Sequence, residues 1–503
     1  MEFQILHNLC DHIGLRYKEA NFLLCQLSAF TYSVFFRTYL GSRGTSTRTR
    51  HIVQAVAGIC LCVQAIGWES LYFAVDVSLC YILMKLVHPK VMQRYVSVFS
   101  ITFLSGVHIY LMAIGKGVNN FDCVGPLMVV TEKVGCLAWS LHDGLTRDDS
   151  QLNNLQRRMA VRKIPSLLEY LSFIFYPQSL LIGPITYYGD YVKVIDGSKY
   201  LVKEKTSTGE EVLVYKEPSN KVALAGKLSF SVFCAVILLT LVPKYPIMRN
   251  VDDHHMETTT FWQKMIFVIV SVEVAKSKYF FGWVLADAIN NAGGLGFNGY
   301  DEDGKPKWDG VSNVIIWNFQ FPTNLKMLID SWNISALTWL RHTCYDRVPT
   351  QKALLTFLLS SMWHGFFPGF FVTFLSGHLM LMAAKKVRSN IRPLFQSSAQ
   401  SRMVYDVLTW ATTYVTLAYV ITPFTYLTFE LSLKFFNSIY WWLHIVAVIV
   451  ILVLPARKKD QQKRDTDIDV RPQTFNGHAV ENWSSQTNGG QGEERKDESK
   501  KDI

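Results

Sequence analysis

One histidine stands inside an apolar stretch of the chain. His364 lies near the middle of residues 357–370, where nearly every other side chain is hydrophobic or small. An ionisable group inside a membrane-type span indicates a functional site, and a neutral imidazole can act as a general base near pH 7. Gly365 and Pro368 interrupt the helix just after it. The alternative is a structural histidine that hydrogen-bonds a backbone carbonyl left unpaired by Pro368.

A polar but tryptophan-rich stretch precedes this histidine, beginning near residue 294. It is too polar to face lipid and too aromatic for a free loop, so we predict that it folds against a membrane domain and lines a cavity. Five candidate substrate-binding residues lie in this stretch, and a sixth, Trp363, directly precedes His364. The five are Trp308, Trp332, Trp339, Arg341 and Arg347. For the tryptophans, the alternative is a role in packing or at the membrane interface.

A glycine string opens this stretch. Gly294, Gly296 and Gly299 match the G-x-G-x-x-G pattern of dinucleotide-binding folds. An apolar helix rather than a strand precedes them, and no helix clearly follows, so the pattern does not indicate a nucleotide fold here. Glycines at this density let the backbone bend, and we predict the end of a helix.

The elements that position these residues belong to a membrane protein. The chain has 503 residues, of which 50% are hydrophobic and 18% charged, against about 25% charged in soluble domains. A spanning helix needs about 20 mainly apolar residues. We predict an all-α, polytopic membrane protein with about eleven transmembrane helices around an intramembrane catalytic cavity. The candidate spans are 22–39, 52–66, 68–87, 95–115, 126–141, 166–185, 224–243, 262–288, 352–382, 404–426 and 432–455.

Basic residues lie in short clusters between the apolar blocks. This distribution is typical of cytosolic loops beside anionic lipid, which explains the net charge of +10. We therefore predict no nucleic-acid partner. We predict an N-terminal cap over 1–20, a membrane domain over 21–456 and a disordered cytosolic tail over 457–503. The tail ends Lys500-Lys501-Asp502-Ile503, which resembles the dilysine retrieval signal of the endoplasmic reticulum. The alternative is a charged tail that ends this way by chance.

Two strings resemble the signature of a known enzyme family. Trp363-His364-Gly365, followed by Pro368-Gly369-Phe370, is similar to the signature of the membrane-bound O-acyltransferase family. In that family a histidine on an apolar helix follows an asparagine or aspartate by some thirty residues. Asn333, in Trp332-Asn333-Ile334-Ser335, lies 31 positions before His364 and resembles that partner.

Further strings resemble the lysophospholipid branch of the family, and the resemblance covers roughly residues 20–455. These strings are Gly125-Pro126-Leu127-Met128, His142-Asp143-Gly144, Glu169-Tyr170-Leu171, Gly183-Pro184, Leu285-Ala286-Asp287-Ala288-Ile289-Asn290-Asn291, Gly296-Phe297 and Trp308-Asp309. One departure is Phe370-Phe371, where relatives often carry two tyrosines. It removes two hydroxyl groups and leaves His364 in place.

The resemblance implies acyl transfer from acyl-CoA to the free hydroxyl group of a lysophospholipid. His364 would be the base. Asn333 would either donate its amide N–H to the thioester carbonyl or orient His364 or the hydroxyl, and the sequence leaves these roles open. Arg341, Arg347 and Lys352 are candidates for the CoA phosphates, with interfacial anchoring as the alternative. No cofactor or metal is implied, and acyl-CoA is a co-substrate.

The resemblance also suggests substrates. Lysophosphatidylethanolamine and lysophosphatidylserine come first, with lysophosphatidylcholine as a third candidate and oleoyl-CoA as the donor. No activated serine or cysteine stands out, so we expect direct transfer without an acyl-enzyme. The alternative class is a transporter or channel, since many spans, a broken helix and an intramembrane histidine also occur there.

Overall fold

A computed structural model describes residues 16–115, 123–205 and 210–455, most of which are helical. The α-helices are α1 (Tyr17–Tyr39), α2 (Thr47–Ile66), α3 (Ser70–Leu86), α4 (Met92–Ala113), α5 (Val124–Thr146), α6 (Asn154–Met159), α7 (Leu167–Phe175), α8 (Tyr188–Ile195), α9 (Lys221–Thr240), α10 (Asp253–Thr258), α11 (Phe261–Ala292), α12 (Ile316–Gln320), α13 (Leu325–Asp330), α14 (Ile334–Leu340), α15 (Lys352–His364), α16 (Pro368–Ile391), α17 (Ala399–Tyr426), α18 (Phe429–Ser438) and α19 (Trp442–Val453). The predicted tail, and most of the predicted N-terminal cap, lie outside the described residues.

A two-stranded hairpin is the exception to the helical prediction. Strands β1 (Leu201–Lys205) and β2 (Glu211–Tyr215) pair antiparallel, with Leu201 opposite Tyr215. The hairpin lies in a polar connection between α8 and α9. Its position leaves the membrane domain helical, as predicted.

Six helices in the described ranges are long and apolar enough to cross a membrane. They are Thr47–Leu86, Met92–Ala113, Val124–Thr146, Lys221–Thr240, Pro368–Phe395 and Ala399–Tyr426. The pair α18 and α19 is bent by 81° and makes a seventh if it is counted as one span. A polytopic membrane protein is therefore confirmed, whereas the predicted number of about eleven spans is not.

The difference in number has local causes. The predicted spans 52–66 and 68–87 form one run of 40 residues, continuous through a 3₁₀ turn at Gly67–Glu69. The predicted span 166–185 contains only the nine residues of α7 before Pro177 begins a 3₁₀ turn. The predicted spans 22–39 and 262–288 are continuous helices, α1 and α11, but neither is among the helices that are apolar enough to cross a membrane. The predicted span 352–382 is divided into α15 and α16 by a break at residues 365–367, and only α16 counts as a span. Proline and glycine interrupt the backbone hydrogen bonds on which an uninterrupted span depends.

Helix α5 lies at the centre of the helical domain. In its most apolar window 78% of the residues are buried inside the protein, against 11% in the corresponding window of α9. A helix that is buried while carrying Glu132, Lys133 and Asp143 must supply partners for these groups from its neighbours. Helix α9 instead presents an apolar surface that suits lipid.

Residues 293–351 form short helices and turns rather than a span. Helix α11 ends at Ala292, and Gly294, two residues later, has a φ of 87° that turns the chain, as predicted for the glycine string. A Cβ on Gly296 would lie 1.6 Å from Asn291 Oδ1, so a larger residue would displace the buried Asn291 side chain. The segment then contains α12, α13 and α14, and the helix that carries His364 follows it.

Candidate active site

His364 is the last residue of α15, at the break before α16. Gly365 follows with a φ of 126°, a conformation that favours glycine. A Cβ at Gly365 would also lie 3.0 Å from His108 Nδ1. Pro368 is the first residue of α16, where its missing N–H needs no partner. The string that resembles the family signature thus ends one helix and begins the next, with His364 at the junction.

Aromatic side chains surround the His364 ring. The ring centroids closest to it are those of Trp363 at 4.7 Å, Phe424 at 4.9 Å, Phe374 at 5.4 Å and Phe370 at 5.8 Å. Within the described ranges the imidazole makes no hydrogen bond, and neither of its nitrogens is fully buried. The alternative interpretation, in which His364 hydrogen-bonds a backbone carbonyl left unpaired by Pro368, is therefore not supported within the described ranges. Both ring nitrogens thus lack a hydrogen-bond partner in the described ranges and keep some exposed surface.

A second histidine, His108 on α4, belongs to the same site and was missed in the sequence. Its Nε2 lies 3.1 Å from the carbonyl oxygen of Trp363, so Nε2 carries the proton, because a carbonyl only accepts. The residue is 7% exposed. It stands in an apolar span, and the rule that singled out His364 would have identified it.

Asn333 precedes α14 in a left-handed backbone conformation, with φ 46° and ψ 55°. Asparagine adopts this conformation more readily than most residues. Its Oδ1 accepts a hydrogen bond from Asn313 Nδ2 at 3.1 Å. Two residues later, Ser335 Oγ donates to Glu132 Oε2 on α5 at 3.0 Å. The start of α14 is thus attached to the most buried helix.

Helices α14 and α15 pack against each other, which places Trp339 of α14 beside the end of α15 that carries His364. The rings of Trp339 on α14 and Trp363 on α15 lie 5.6 Å apart. Trp363 Nε1 donates to the carbonyl oxygen of Met128 on α5 at 3.1 Å. Trp363 therefore contacts the His364 ring directly, and Trp339 lies behind it, through packing that sequence spacing does not reveal.

The other two candidate tryptophans pack elsewhere. Trp332 stacks on Phe319 at 4.4 Å and meets Trp283 at 4.8 Å. Trp308 packs against Phe297, and its Nε1 donates to the carbonyl oxygen of Ser219 at 3.0 Å. Their predicted place along an acyl channel stays a prediction, since these contacts are those of packed side chains.

Arg347 forms a buried ion pair with α5. Its guanidinium donates to both carboxylate oxygens of Asp143, at 2.8 and 2.6 Å, and lies over the Trp139 ring at 4.4 Å. The Asp143 side chain is fully buried, and that of Arg347 is 8% exposed. Arg341 lies 4.0 Å from Asp346, and Lys352 Nζ is 5.8 Å from the Tyr345 ring. The Asp143 pair thus gives Arg347 a structural role.

An open, polar pocket of about 520 Å³ lies beside this ion pair. Its basic lining residues include Lys90, Arg94, Arg147 and the predicted candidate Arg347 itself. Lys90 and Arg94 are exposed, and Arg147 Nη1 lies 3.6 Å from Asp143 Oδ1. The sequence did not single out Lys90, Arg94 and Arg147 as a site, because Lys90 and Arg94 flank the start of α4 whereas Arg147 follows the end of α5.

The membrane spans and the helix broken after His364 are those of a polytopic membrane protein. The chain belongs to the membrane-bound O-acyltransferase family, whose model matches residues 21–427. It is an acyltransferase of the membrane, and the resemblance stated from its sequence strings is confirmed. The interpretation as an enzyme is confirmed with it, against the alternative of a transporter or channel.

Individual relatives are similar over most of the chain. "Membrane-bound glycerophospholipid O-acyltransferase 2" of Homo sapiens is 38% identical over 472 residues, which is 93% of this chain and 90% of the relative. "Membrane-bound glycerophospholipid O-acyltransferase 1" of Homo sapiens is 37% identical, with 94% of each chain covered. A "Lysophospholipid acyltransferase" of Schizosaccharomyces pombe is 30% identical, with 69% of each covered.

Proposed function

We propose that this protein transfers a fatty acyl chain from acyl-CoA to the free hydroxyl group of a lysophospholipid. The observation that carries the proposal is a histidine with two unpartnered ring nitrogens at a helix break, in a chain similar to enzymes named as glycerophospholipid and lysophospholipid acyltransferases. An alcohol is a poor nucleophile until a base removes its proton, and an unpartnered imidazole can do so.

His364 acts as the general base in this proposal. As the lysophospholipid oxygen attacks the thioester carbonyl carbon, an unprotonated His364 nitrogen takes the hydroxyl proton. The carbonyl oxygen gains negative charge, and the Asn333 amide N–H donates to it. The C–S bond then breaks, and CoA leaves as a thiol with the proton returned from His364. The ester forms directly, and no cofactor is used.

The basic pocket near Arg347 supplies a place for the anionic end of acyl-CoA. Exposed Lys90 and Arg94 line it, in one of the basic clusters that we expect to face the cytosol. Cationic side chains around a pocket raise the local concentration of phosphate groups. In this proposal Lys90 and Arg94 bind the CoA phosphates. The sequence suggested Arg347 for this role, but Arg347 already pairs with Asp143.

The substrates and location follow from resemblance and stay proposals. We expect lysophosphatidylethanolamine and lysophosphatidylserine as acceptors, lysophosphatidylcholine as a third candidate, and oleoyl-CoA as donor. We place the enzyme in the endoplasmic-reticulum membrane with a cytosolic C-terminus. That location depends on the predicted signal Lys500-Lys501-Asp502-Ile503, which lies outside the described residues.

A substrate panel tests the function. Purified protein in detergent is incubated with each pair of acyl-CoA and lysophospholipid, and diacyl product is measured by mass spectrometry alongside free CoA. Equal amounts of new phospholipid and free CoA are expected. Hydrolysis of acyl-CoA without a new ester, or no turnover with any pair, would contradict the proposal. Acylation of a different class of acceptor would correct the substrate and keep the enzyme class.

A further inference from the structure

We infer that Asn313 is a positioning residue that turns the Asn333 side chain so that only its N–H donor faces the reactants. The inference deepens the proposed function, on which it rests. Asn313 is 4% exposed and lies 20 positions before Asn333. None of the sequence strings discussed above includes it.

Three hydrogen bonds join Asn313 to the turn that contains Asn333. The Asn313 backbone oxygen accepts from Ile334 N at 3.0 Å. Its Oδ1 accepts from Ser335 N at 2.9 Å, and its Nδ2 donates to Asn333 Oδ1 at 3.1 Å. Asn313 therefore meets three successive residues of the turn with its backbone and with both ends of its side-chain amide.

The direction of these bonds follows from one unambiguous donor. The backbone N–H of Ser335 can only donate, so the Asn313 atom that faces it must be the oxygen. The other end of the Asn313 amide is then its NH₂ group, which can only donate. The Asn333 atom that it meets must therefore be Oδ1. Two side-chain amides, whose ends are otherwise hard to tell apart, are thus oriented by a backbone group.

The consequence concerns the free end of Asn333. With Oδ1 held by Asn313, the other end is Nδ2, which has no hydrogen-bond partner within the described ranges and is not fully buried. Among the roles that the sequence left open, this geometry suits those in which Asn333 donates a hydrogen bond, and we assign that donation to the oxygen on which charge develops. A role that requires Asn333 to accept a hydrogen bond would have to share the Oδ1 atom with Asn313.

Asn313 is itself held by neighbouring segments. Val314 pairs with Trp332 in an antiparallel bridge, and Ile315 N donates to the Ser331 oxygen at 3.0 Å. The preceding Ser312 Oγ donates to Asp287 Oδ2 on α11 at 2.7 Å. Hydrogen bonds on both sides of residue 313 therefore hold Asn313 in place. A preorganised donor such as Asn333 Nδ2 requires a rigid support of this kind.

The test is a double-mutant cycle with Asn313→Asp and Asn333→Ala. An aspartate at 313 still accepts from Ser335 N, but its second oxygen accepts from Asn333 Nδ2 and turns the donor away. We expect kcat to fall about 10²-fold in each single variant, which is the usual loss for one such donor. KM should stay within about twofold, because the bond strengthens as charge develops. The double variant should be no slower than Asn333→Ala within about threefold.

A second variant and a matched control separate positioning from general damage. Asn313→Ala releases the Asn333 amide without attracting it, so its kcat should lie above that of Asn313→Asp. If Asn313→Asp does not fold, Asn313→Ala completes the same cycle. Asn250→Asp is the control, since the buried Asn250 also donates from Nδ2, to Ile247 O and Ser271 Oγ, away from the site. Its kcat should stay within about twofold of the wild type.

The outcomes are distinguishable. A wild-type enzyme without turnover on the substrate panel would refute the proposed function. A wild-type enzyme that turns over, with Asn313→Asp within about threefold of it while Asn333→Ala is impaired, would refute only the positioning role. A double variant slowed by the product of the two single effects would also refute it, because Asn313 would then act independently of Asn333. Undiminished activity of Asn333→Ala would remove the donor itself.

Discussion

The imidazole of His108 reaches from α4 to the backbone of Trp363, with Nε2 lying 3.1 Å from the carbonyl oxygen. The contact joins residues 255 positions apart, at the position immediately before His364. It satisfies a carbonyl at the end of α15, where helix carbonyls lose their intrahelical partners. The backbone that carries the proposed base is thus held by a second histidine.

Replacing His108 should therefore slow the reaction without removing the base. We expect His108→Ala to lower kcat about tenfold and to reduce stability by about 1–3 kcal/mol, the usual cost of an unsatisfied buried polar group. His108→Gln should recover most of both, because its amide NH₂ can donate to the same carbonyl. Steady-state kinetics and thermal unfolding measure the two effects. Equal losses in the alanine and glutamine variants would argue against the hydrogen bond.

Removing His364 should abolish turnover. A positioned base contributes about 10²–10⁴-fold in rate, so His364→Ala should show at most residual product by mass spectrometry. Expression and membrane insertion should be unchanged, because the ring makes no hydrogen bond in the described ranges. His378→Ala on α16 is the matched control, since His378 also packs in an aromatic setting, 5.8 Å from Phe357. Full activity of His364→Ala would eliminate it as the base.

Gly369 should tolerate no side chain. A Cβ there would lie 2.1 Å from the carbonyl oxygen of Pro423, where α16 and α17 meet beside the aromatic cluster around His364. We expect Gly369→Ala to lose more than about 2 kcal/mol of stability, because backbone must move. Gly377→Ala on the same helix meets only ordinary contacts at 3.7 Å and should unfold at the wild-type temperature. Matching unfolding temperatures for both variants would show that the helices separate easily.

Arg347→Ala should damage the fold more than substrate binding. It leaves the buried Asp143 carboxylate without its closest cation, and breaking such a pair costs about 3–5 kcal/mol. The double variant Asp143→Leu with Arg347→Met should recover much of the stability, since apolar side chains can replace a buried ion pair. Thermal unfolding of the three proteins tests this. If Arg347→Ala is as stable as the wild type but has a raised KM for acyl-CoA, Arg347 binds the CoA phosphates, as predicted from the sequence.

Charge reversal at the open pocket should weaken acyl-CoA binding. Lys90→Glu combined with Arg94→Glu should raise the KM for acyl-CoA about tenfold at low salt, with a smaller effect at high salt because salt screens exposed charges. The KM for lysophospholipid should not change. Lys203→Glu combined with Lys305→Glu changes the charge equally at two exposed lysines outside the pocket. Similar KM values in both charge-reversed proteins would exclude the pocket as the phosphate site.

The amino-acid sequence by itself determined the class of this protein and its two central candidate residues. Long apolar blocks with few charges indicate membrane spans because lipid offers the backbone no hydrogen-bond partners. His364 is recognisable because an ionisable group is costly in such a block. Asn333 followed from its spacing to His364 within a family resemblance, and the family match over residues 21–427 confirms that resemblance.

Only the tertiary structure decided how these residues are supported. The sequence positions of His108, Asn313 and Asp143 do not show that these residues contact Trp363, Asn333 and Arg347, respectively. Such contacts depend on how the helices pack. The same packing pairs Arg347 with Asp143 and places Trp308 and Trp332 in other clusters. It also distinguishes a continuous span from one broken at a glycine or proline, since composition is nearly the same in both.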